Sequence, residues 1–293
     1  MKYSIKKILW ATDFSAEAAN ALTYAEFFAR KFDAKIMAVH VLPEIESALI
    51  EARPALLEDL YEQVGLKLGQ ARKKLDALAS RKDLRFGKVL IEPGSPAKKI
   101  VEIAEKEKAD LIVLGKTGLS GLERIVLGSV ANGVLRHSPA PVLVVGKKRI
   151  RPRIGKILVP TDFSPHEEIE RDIAWTLASA FKADLTLLNV LVLHDYRVQA
   201  EYSESLLREV LNRLKARKAR EKKDFAVSED VVAAANAAAG IVNYADLNRF
   251  DLIAISSMAH SKLARFFLGS NTERVISISD VPVFAIPPAC SEE

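Results

Sequence analysis

Short apolar runs alternate with longer amphipathic stretches along the whole chain. In the first half these runs predict five strands, over residues 7–11, 35–42, 85–91, 110–114 and 141–145. The stretches between them carry apolar residues at helical spacing, as Ala18, Leu22, Ala25 and Ala29 do after the first strand. Buried strands that alternate with amphipathic helices predict an α/β fold, a parallel sheet with helices on both faces.

The same pattern occurs twice. Residues 7–15 recur as residues 156–164, 149 positions later, whereas the segments that begin at Ala109 and Ala140 recur 141 positions later. A repeat of this length is a complete domain. We therefore predict two tandem domains, residues 1–148 and 154–289, each built on a doubly wound parallel sheet of five strands in the order 3-2-1-4-5.

In this strand order the winding direction reverses between strands one and four, and ligands bind outside the carboxyl ends of the strands at that point. Asp13 lies just past the first predicted strand and Gly115 just past the fourth. The sequence therefore predicts that both residues border one crevice.

A glycine-bearing loop connects the fourth strand to the next helix. It reads Gly115-Lys116-Thr117-Gly118, and after nine further residues Gly128-Ser129. The amides at a helix start are unpaired donors, and glycine lets a phosphate approach the backbone closely. Two structural alternatives stay open: the glycines serve a tight turn and close packing, and Asp13 caps a turn. A P-loop is not indicated, because its first glycine would be at Asp110.

The Thr-Asp-Phe-Ser turn at residues 12–15 and this glycine spacing, ahead of Pro-Val-Leu-Val-Val at residues 141–145, closely resemble the universal stress protein family. The resemblance covers nearly the whole chain as two copies. It implies the 3-2-1-4-5 fold and pairing of domains through their fifth strands, here within one chain as a pseudo-dimer. A homodimer of the whole chain is a further expectation.

Many family members with the intact glycine pattern bind ATP with a divalent metal, so the resemblance implies ATP with Mg²⁺ or Mn²⁺ here. Asp13 would contact the ribose, Ala11 and Thr12 would shape the adenosine site, and Val41 would meet the adenine. Leu114, Gly115 and Gly118 would line the phosphate path. Gly128, Ser129 and Val130 would hold the distal phosphates at the helix start.

The second copy departs from this pattern. Ser256 stands at the Gly115 position and Ala259 at the Gly118 position, although Gly269-Ser270 is retained. Each added Cβ would crowd a phosphate beside the backbone. We therefore expect one ATP site per chain, in the first half.

Three functions compete. The first is a nucleotide-dependent stress-response module in the cytoplasm. The second is a nucleotide-free scaffold that works by dimerisation. The third is a slow ATP hydrolase, for which Asp13 and Glu123 are the only carboxylates near the loop. No catalytic residue is assigned, no histidine matches a metal-ligand spacing, and His40 on the second strand is interpreted as packed or hydrogen-bonded.

Composition and charge limit the classes of molecule that the chain is expected to bind. The net charge is +5 over 293 residues, and the basic residues are densest at residues 213–223, which we interpret as the solvated face of a helix. No aromatic residues are interleaved there, which makes nucleic acid an unfavoured partner. The single cysteine, Cys290, excludes an intrachain disulfide. No apolar run is long enough to span a membrane.

Overall fold

The computed structural model describes residues 3–42, 57–81, 85–118, 127–147, 151–161, 167–192, 225–256 and 268–287. Strands and helices alternate through both halves, as the apolar pattern predicts. The elements of the first half are β1 (Lys7–Ala11), α1 (Ala16–Phe32), β2 (Lys35–Leu42), α2 (Leu57–Ala79), β3 (Phe86–Pro93), α3 (Pro96–Glu107), β4 (Leu111–Gly115), α4 (Ser129–His137) and β5 (Val142–Val145).

The second half repeats this order, with one helix fewer among the described residues. Its elements are β6 (Lys156–Pro160), α5 (Glu167–Phe181), β7 (Asp184–Val192), β8 (Val227–Ala234), α6 (Ala237–Leu247), β9 (Leu252–Ser256), α7 (Ser270–Ile278) and β10 (Val283–Ile286). The basic helix predicted near residues 213–223 lies outside the described residues.

All ten strands form one sheet in the order β3-β2-β1-β4-β5-β10-β9-β6-β7-β8. Within each half the order is 3-2-1-4-5 and the neighbours are parallel, which confirms the predicted fold class. The two predicted sheets are not separate, because β5 and β10 pair antiparallel, with Leu143 opposite Phe284. The fifth strands therefore join the halves into one mixed sheet.

Two apolar cores lie on the two faces of this sheet, and each contains residues from both halves. Phe284 of β10 is fully buried beside Phe28 of α1, with ring centroids 6.3 Å apart. Phe27 of α1 stacks on Phe181 of α5 at 5.2 Å. Separating the halves would expose these aromatic side chains to water, at a cost set by the apolar area uncovered.

Antiparallel pairing of β5 with β10 places the carboxyl end of β5 beside the amino end of β10. The carboxyl ends of β1 and β4 lie at the same sheet edge as that of β5, because these strands are parallel. Residues that precede β10 and β9 therefore lie on the same edge as the predicted crevice of the first half.

Candidate functional site

Asp13 and the glycine loop are in direct contact. Asp13 follows β1, and β1 pairs with β4 so that Trp10 lies opposite Val113. A Cβ built on Gly118 would lie 2.6 Å from Oδ2 of Asp13. No side chain fits at position 118 unless the carboxylate moves. The two predicted residues thus meet at the switch point between β1 and β4.

The turn that holds Asp13 is fixed by its own side chains. Oδ1 of Asp13 accepts a hydrogen bond from the amide of Ser15 at 2.9 Å, and Oγ1 of Thr12 accepts one from the amide of Phe14 at 3.0 Å. Phe14 has a φ of 64°, a left-handed conformation that costs free energy outside glycine. Asp13 therefore does cap a turn, as the structural alternative predicts, while its second oxygen faces Gly118.

His40 supports this turn from β2. Its Nδ1 lies 2.7 Å from the carbonyl oxygen of Thr12, and its ring lies 4.7 Å from the Phe14 ring. A carbonyl only accepts, so Nδ1 carries the proton. In the second half Asn189, 149 positions later, donates from its amide to the carbonyl of Thr161 at 2.8 Å. The interpretation of His40 as a hydrogen-bonded residue agrees with this contact.

Gly115 and Gly128 have packing roles of their own. A Cβ on Gly115 would lie 2.8 Å from Cβ of Glu17 in α1, and one on Gly128 would lie 3.0 Å from the carbonyl oxygen of Lys116. Glu17 also accepts a hydrogen bond from Thr117 Oγ1 at 3.0 Å. These glycines allow β4, the loop and α1 to approach closely, so their presence alone does not distinguish a phosphate site from close packing.

The start of α4 is suited to an anion. Its N-cap is Gly128, and within the described residues no side chain accepts a hydrogen bond from its first turn. Ser129 and Val130 are exposed, and the first turn holds no acidic residue. By contrast, Ser15 caps α1 and Asn236 caps α6 with their side chains. The free amides and the helix dipole of α4 therefore provide the donors that a phosphate group needs.

Ala11, Val41 and Leu114 lie at the carboxyl ends of β1, β2 and β4. All three are buried in the apolar core on the α3 and α4 face of the sheet, together with Leu127. Every predicted binding residue is thus placed at the carboxyl ends of β1, β2 and β4 or at the start of α4. Residues 119–126, including Glu123, lie outside the described residues.

Comparison with known proteins shows the family of both halves. The model of the universal stress protein family matches residues 4–146 and again residues 153–287. The chain belongs to the universal stress protein family.

Two universal stress proteins of Methanocaldococcus jannaschii are among the similar relatives. MJ0531 is 40% identical over 146 residues, 49% of this chain and 84% of the relative. MJ0577 is 34% identical over 160 residues, 50% of this chain and 99% of the relative. A crystal structure of a universal stress protein from Archaeoglobus fulgidus covers 97% of both chains with a TM-score of 0.65 at 21% identity, which supports the fold alone.

Lys116 connects the glycine loop of the first universal stress protein domain to the second. Its Nζ donates to the carbonyl oxygens of Ser277 at 2.9 Å and Ser279 at 3.1 Å, at the C-terminal end of α7. Burial lowers the pKa of Lys116, and the nearby charge of Asp280 partly counters this. The ammonium group of Lys116 therefore donates to the free carbonyl groups at the C-terminal end of α7, across the junction between the two domains.

The second universal stress protein domain has a different helix start. Gly269 is again an N-cap without a side-chain hydrogen bond from the described residues, but Glu273 occupies the first turn of α7 and pairs with Arg136 at 3.0 Å. Oγ1 of Thr272 also donates to the carbonyl oxygen of Ser256 at 2.7 Å. Asp162 and Ala259 lie outside the described residues. The charge at this helix start is thus less favourable to an anion than that of α4.

The described residues were also compared with the requirements of a metal site and of a membrane-spanning helix. Among the residues that the structure describes, no three histidine, cysteine, aspartate or glutamate side chains cluster as a metal site would require. No helix in the same parts of the chain is long and apolar enough to cross a bilayer.

Proposed function

We propose that the first domain binds ATP in the crevice between β1 and β4 and that the chain is a nucleotide-dependent stress-response module. The observation that carries this proposal is the uncapped start of α4, beside the contact between Asp13 and Gly118. The proposed binding residues are Ala11, Thr12, Asp13, Val41, Leu114, Gly115, Gly118, Gly128, Ser129 and Val130.

Each part of the nucleotide would meet a suited group. The Asp13 carboxylate accepts hydrogen bonds, as recognition of ribose hydroxyls requires. The apolar ends of β1 and β2 favour the adenine ring. The amides of the first turn of α4 and the Ser129 hydroxyl donate to phosphate oxygens. A divalent metal bound with ATP would neutralise phosphate charge. Because the described residues contain no metal cluster, its ligands would come mainly from the nucleotide and water.

A regulatory consequence follows from Lys116. Phosphate contacts at Gly118 and Gly128 would bias the backbone at both positions, and Lys116, two residues before Gly118, ties this backbone to α7 of the second domain. A ligand shifts such an equilibrium only through different affinities for two states. ATP would therefore change the second domain through Lys116, with protein partners responding to the altered surface.

Equilibrium dialysis of labelled ATP with nucleotide-stripped protein tests the assignment. Ser129→Ala removes one donor to phosphate, so we expect binding to weaken by about 5- to 30-fold, and Gly118→Val should abolish it. Ser270→Ala is the matched control at the other helix start and should bind ATP as the parent does. AMP, which lacks the distal phosphates, should bind more weakly than ATP.

Equal ATP affinity in the parent and in both first-domain variants would show that ATP does not bind in this crevice. The glycines would then serve packing alone, and the nucleotide-free scaffold would become the better account.

A further inference from the structure

A cavity lies at the junction of the two domains. Its volume is ≈ 290 Å³, near the lower end for small-ligand sites. Tyr24 of α1 lines it from the first domain, and Asp280 lines it from the residues that precede β10. The basic part of its wall consists of Arg151 and Arg153, which lie between the two predicted domains, and Arg249, which follows α6. None of the proposed ATP-binding residues lines this cavity.

The donors around this cavity lack partners. Tyr24 is 3% exposed, and among the described residues nothing forms a hydrogen bond with its hydroxyl. The guanidinium groups of Arg151, Arg153 and Arg249 are exposed, and they likewise have no ion pair or hydrogen bond within the described part of the chain. A buried donor without an acceptor costs free energy, so a ligand that accepts from the Tyr24 hydroxyl would recover that cost.

The carboxylates in the wall are already engaged. Oδ2 of Asp251 accepts from the amides of Gly155 at 2.7 Å and Lys156 at 3.0 Å. Asp280 interacts with the ammonium group of Lys116, and Asp246 also interacts with a neighbouring group. Burial, together with the charge of Asp251, raises the pKa of Tyr24 to about 12, so the hydroxyl remains a donor at neutral pH. The three arginines and three aspartates of the wall balance in formal charge, so what the cavity offers a ligand is its set of unpaired N–H and O–H donors.

The internal repeat shows that the fold does not require the Tyr24 hydroxyl. Tyr3 stands at the repeat position of Pro152, where its hydroxyl donates to the carbonyl of Asp110 at 2.6 Å and its ring lies 6.5 Å from Phe284. Ile173 stands at the repeat position of Tyr24. The second copy thus has a small proline, flanked by two arginines, where the first copy has a large aromatic residue.

We propose that this cavity binds a phosphate group, either as the free ion or as part of a small phosphomonoester, through Arg151, Arg153, Arg249 and the Tyr24 hydroxyl. Guanidinium groups present several N–H donors in a fixed geometry that matches phosphate oxygens. The tyrosine hydroxyl adds a donor from the other domain. Occupancy would therefore bridge the two domains beside the Lys116 contact.

The test is a titration of the full chain with inorganic phosphate at constant ionic strength, followed by NMR of the arginine Nε–H groups. Chloride replaces phosphate in the reference titration. We expect saturable shifts in phosphate only. Arg249→Gln should weaken binding about tenfold or more and Tyr24→Phe several-fold, as expected for loss of hydrogen bonds to a charged ligand. Arg274→Gln, an exposed arginine of the same domain outside the cavity, is the matched control and should leave the affinity unchanged.

Tyr24→Phe also guards against a folding artefact. It keeps the ring and removes only the unpaired hydroxyl, so the melting temperature without phosphate should not fall. A parallel titration with glycerol 3-phosphate identifies the source: tighter binding than inorganic phosphate indicates a phosphomonoester, and weaker binding indicates the free ion. Shifts that chloride reproduces, or an affinity that Arg249→Gln and Tyr24→Phe both leave unchanged, would overturn the proposal. Phosphate bound at the start of α4 would give that second result.

Discussion

Replacing Gly118 by alanine should destabilise the protein through Asp13. The new Cβ would lie 2.6 Å from Oδ2 of Asp13, so the carboxylate must move by about 0.8 Å to reach an ordinary contact of 3.4 Å. Such a movement disturbs the hydrogen bond from the Ser15 amide to Oδ1, which measures 2.9 Å. Position 118 has no left-handed φ, so backbone strain does not contribute.

The size of the effect follows from that hydrogen bond. A hydrogen bond to a charged group contributes about 1.5–3 kcal/mol. Alanine also restricts the unfolded chain, which returns about 0.4–1 kcal/mol where the backbone is compatible. We therefore expect Gly118→Ala to lower the free energy of unfolding by about 1–2 kcal/mol.

A double-mutant cycle in urea isolates this contact. Asp13→Ala alone should cost about 1.5–3 kcal/mol, because it removes the same hydrogen bond. In the Asp13→Ala background nothing remains for the new Cβ to displace, so Gly118→Ala should become neutral or slightly stabilising. Gly146→Ala is the matched control, since a Cβ there meets no atom within 4 Å. Additive effects of the two substitutions, within about 0.5 kcal/mol, would refute the contact between Asp13 and the loop.

Substitutions at three further positions test other contacts. His40→Asn should preserve stability, because Asn189 makes the same hydrogen bond to Thr161 in the second half. His40→Leu leaves the Thr12 carbonyl without this donor and should lower the free energy of unfolding by about 1–3 kcal/mol. Equal decreases for both variants in urea denaturation would contradict the role of His40 as a donor. Lys116→Met keeps the apolar stem but removes two hydrogen bonds to α7, so the free energy of unfolding should fall by about 1–2 kcal/mol. The exposed control Lys67→Met should lower it by less than about 0.5 kcal/mol. A decrease no larger than the control's would mean that the contact across the domain junction does not stabilise the protein. Burial and the Asp251 charge raise the pKa of Tyr24 from 10.0 to about 12, so the free energy of unfolding should fall as the pH rises from 10 towards 12, where the unfolded state loses the tyrosine proton first. Across that window the parent should lose about 2–3 kcal/mol more than Tyr24→Phe. Parallel stability curves for the two proteins would show that the Tyr24 hydroxyl is not buried.

Much of the architecture follows from the sequence, because period and repeat are local properties. Alternating apolar runs gave the strands, and the repeat gave two copies of one topology. The contact between Asp13 and Gly118 was also predictable, since each residue follows one of two strands that the 3-2-1-4-5 order makes neighbours. Strand order thus turns separation along the chain into proximity in the sheet.

Other features depend on how the two halves meet, which no local pattern encodes. The bonds from Lys116 to the end of α7 exist only because β5 pairs with β10. The sequence left close packing open as a role for Gly115 but could not identify Glu17 as its neighbour, because packing and phosphate binding both require the absence of a Cβ. Two signals were present but unused: His40 and Asn189 share one repeat position, as do Tyr3 and Pro152.

The most direct test of the central claim is a calorimetric titration of Mg-ATP into the nucleotide-stripped chain. One site per chain is predicted, because α4 starts without a cap or an acidic residue, whereas α7 carries Glu273 in its first turn. Two equivalent sites would contradict the assignment to the first domain and mean that Ser256 and Ala259 admit phosphate. The absence of any binding heat over a range of temperatures would contradict nucleotide binding itself.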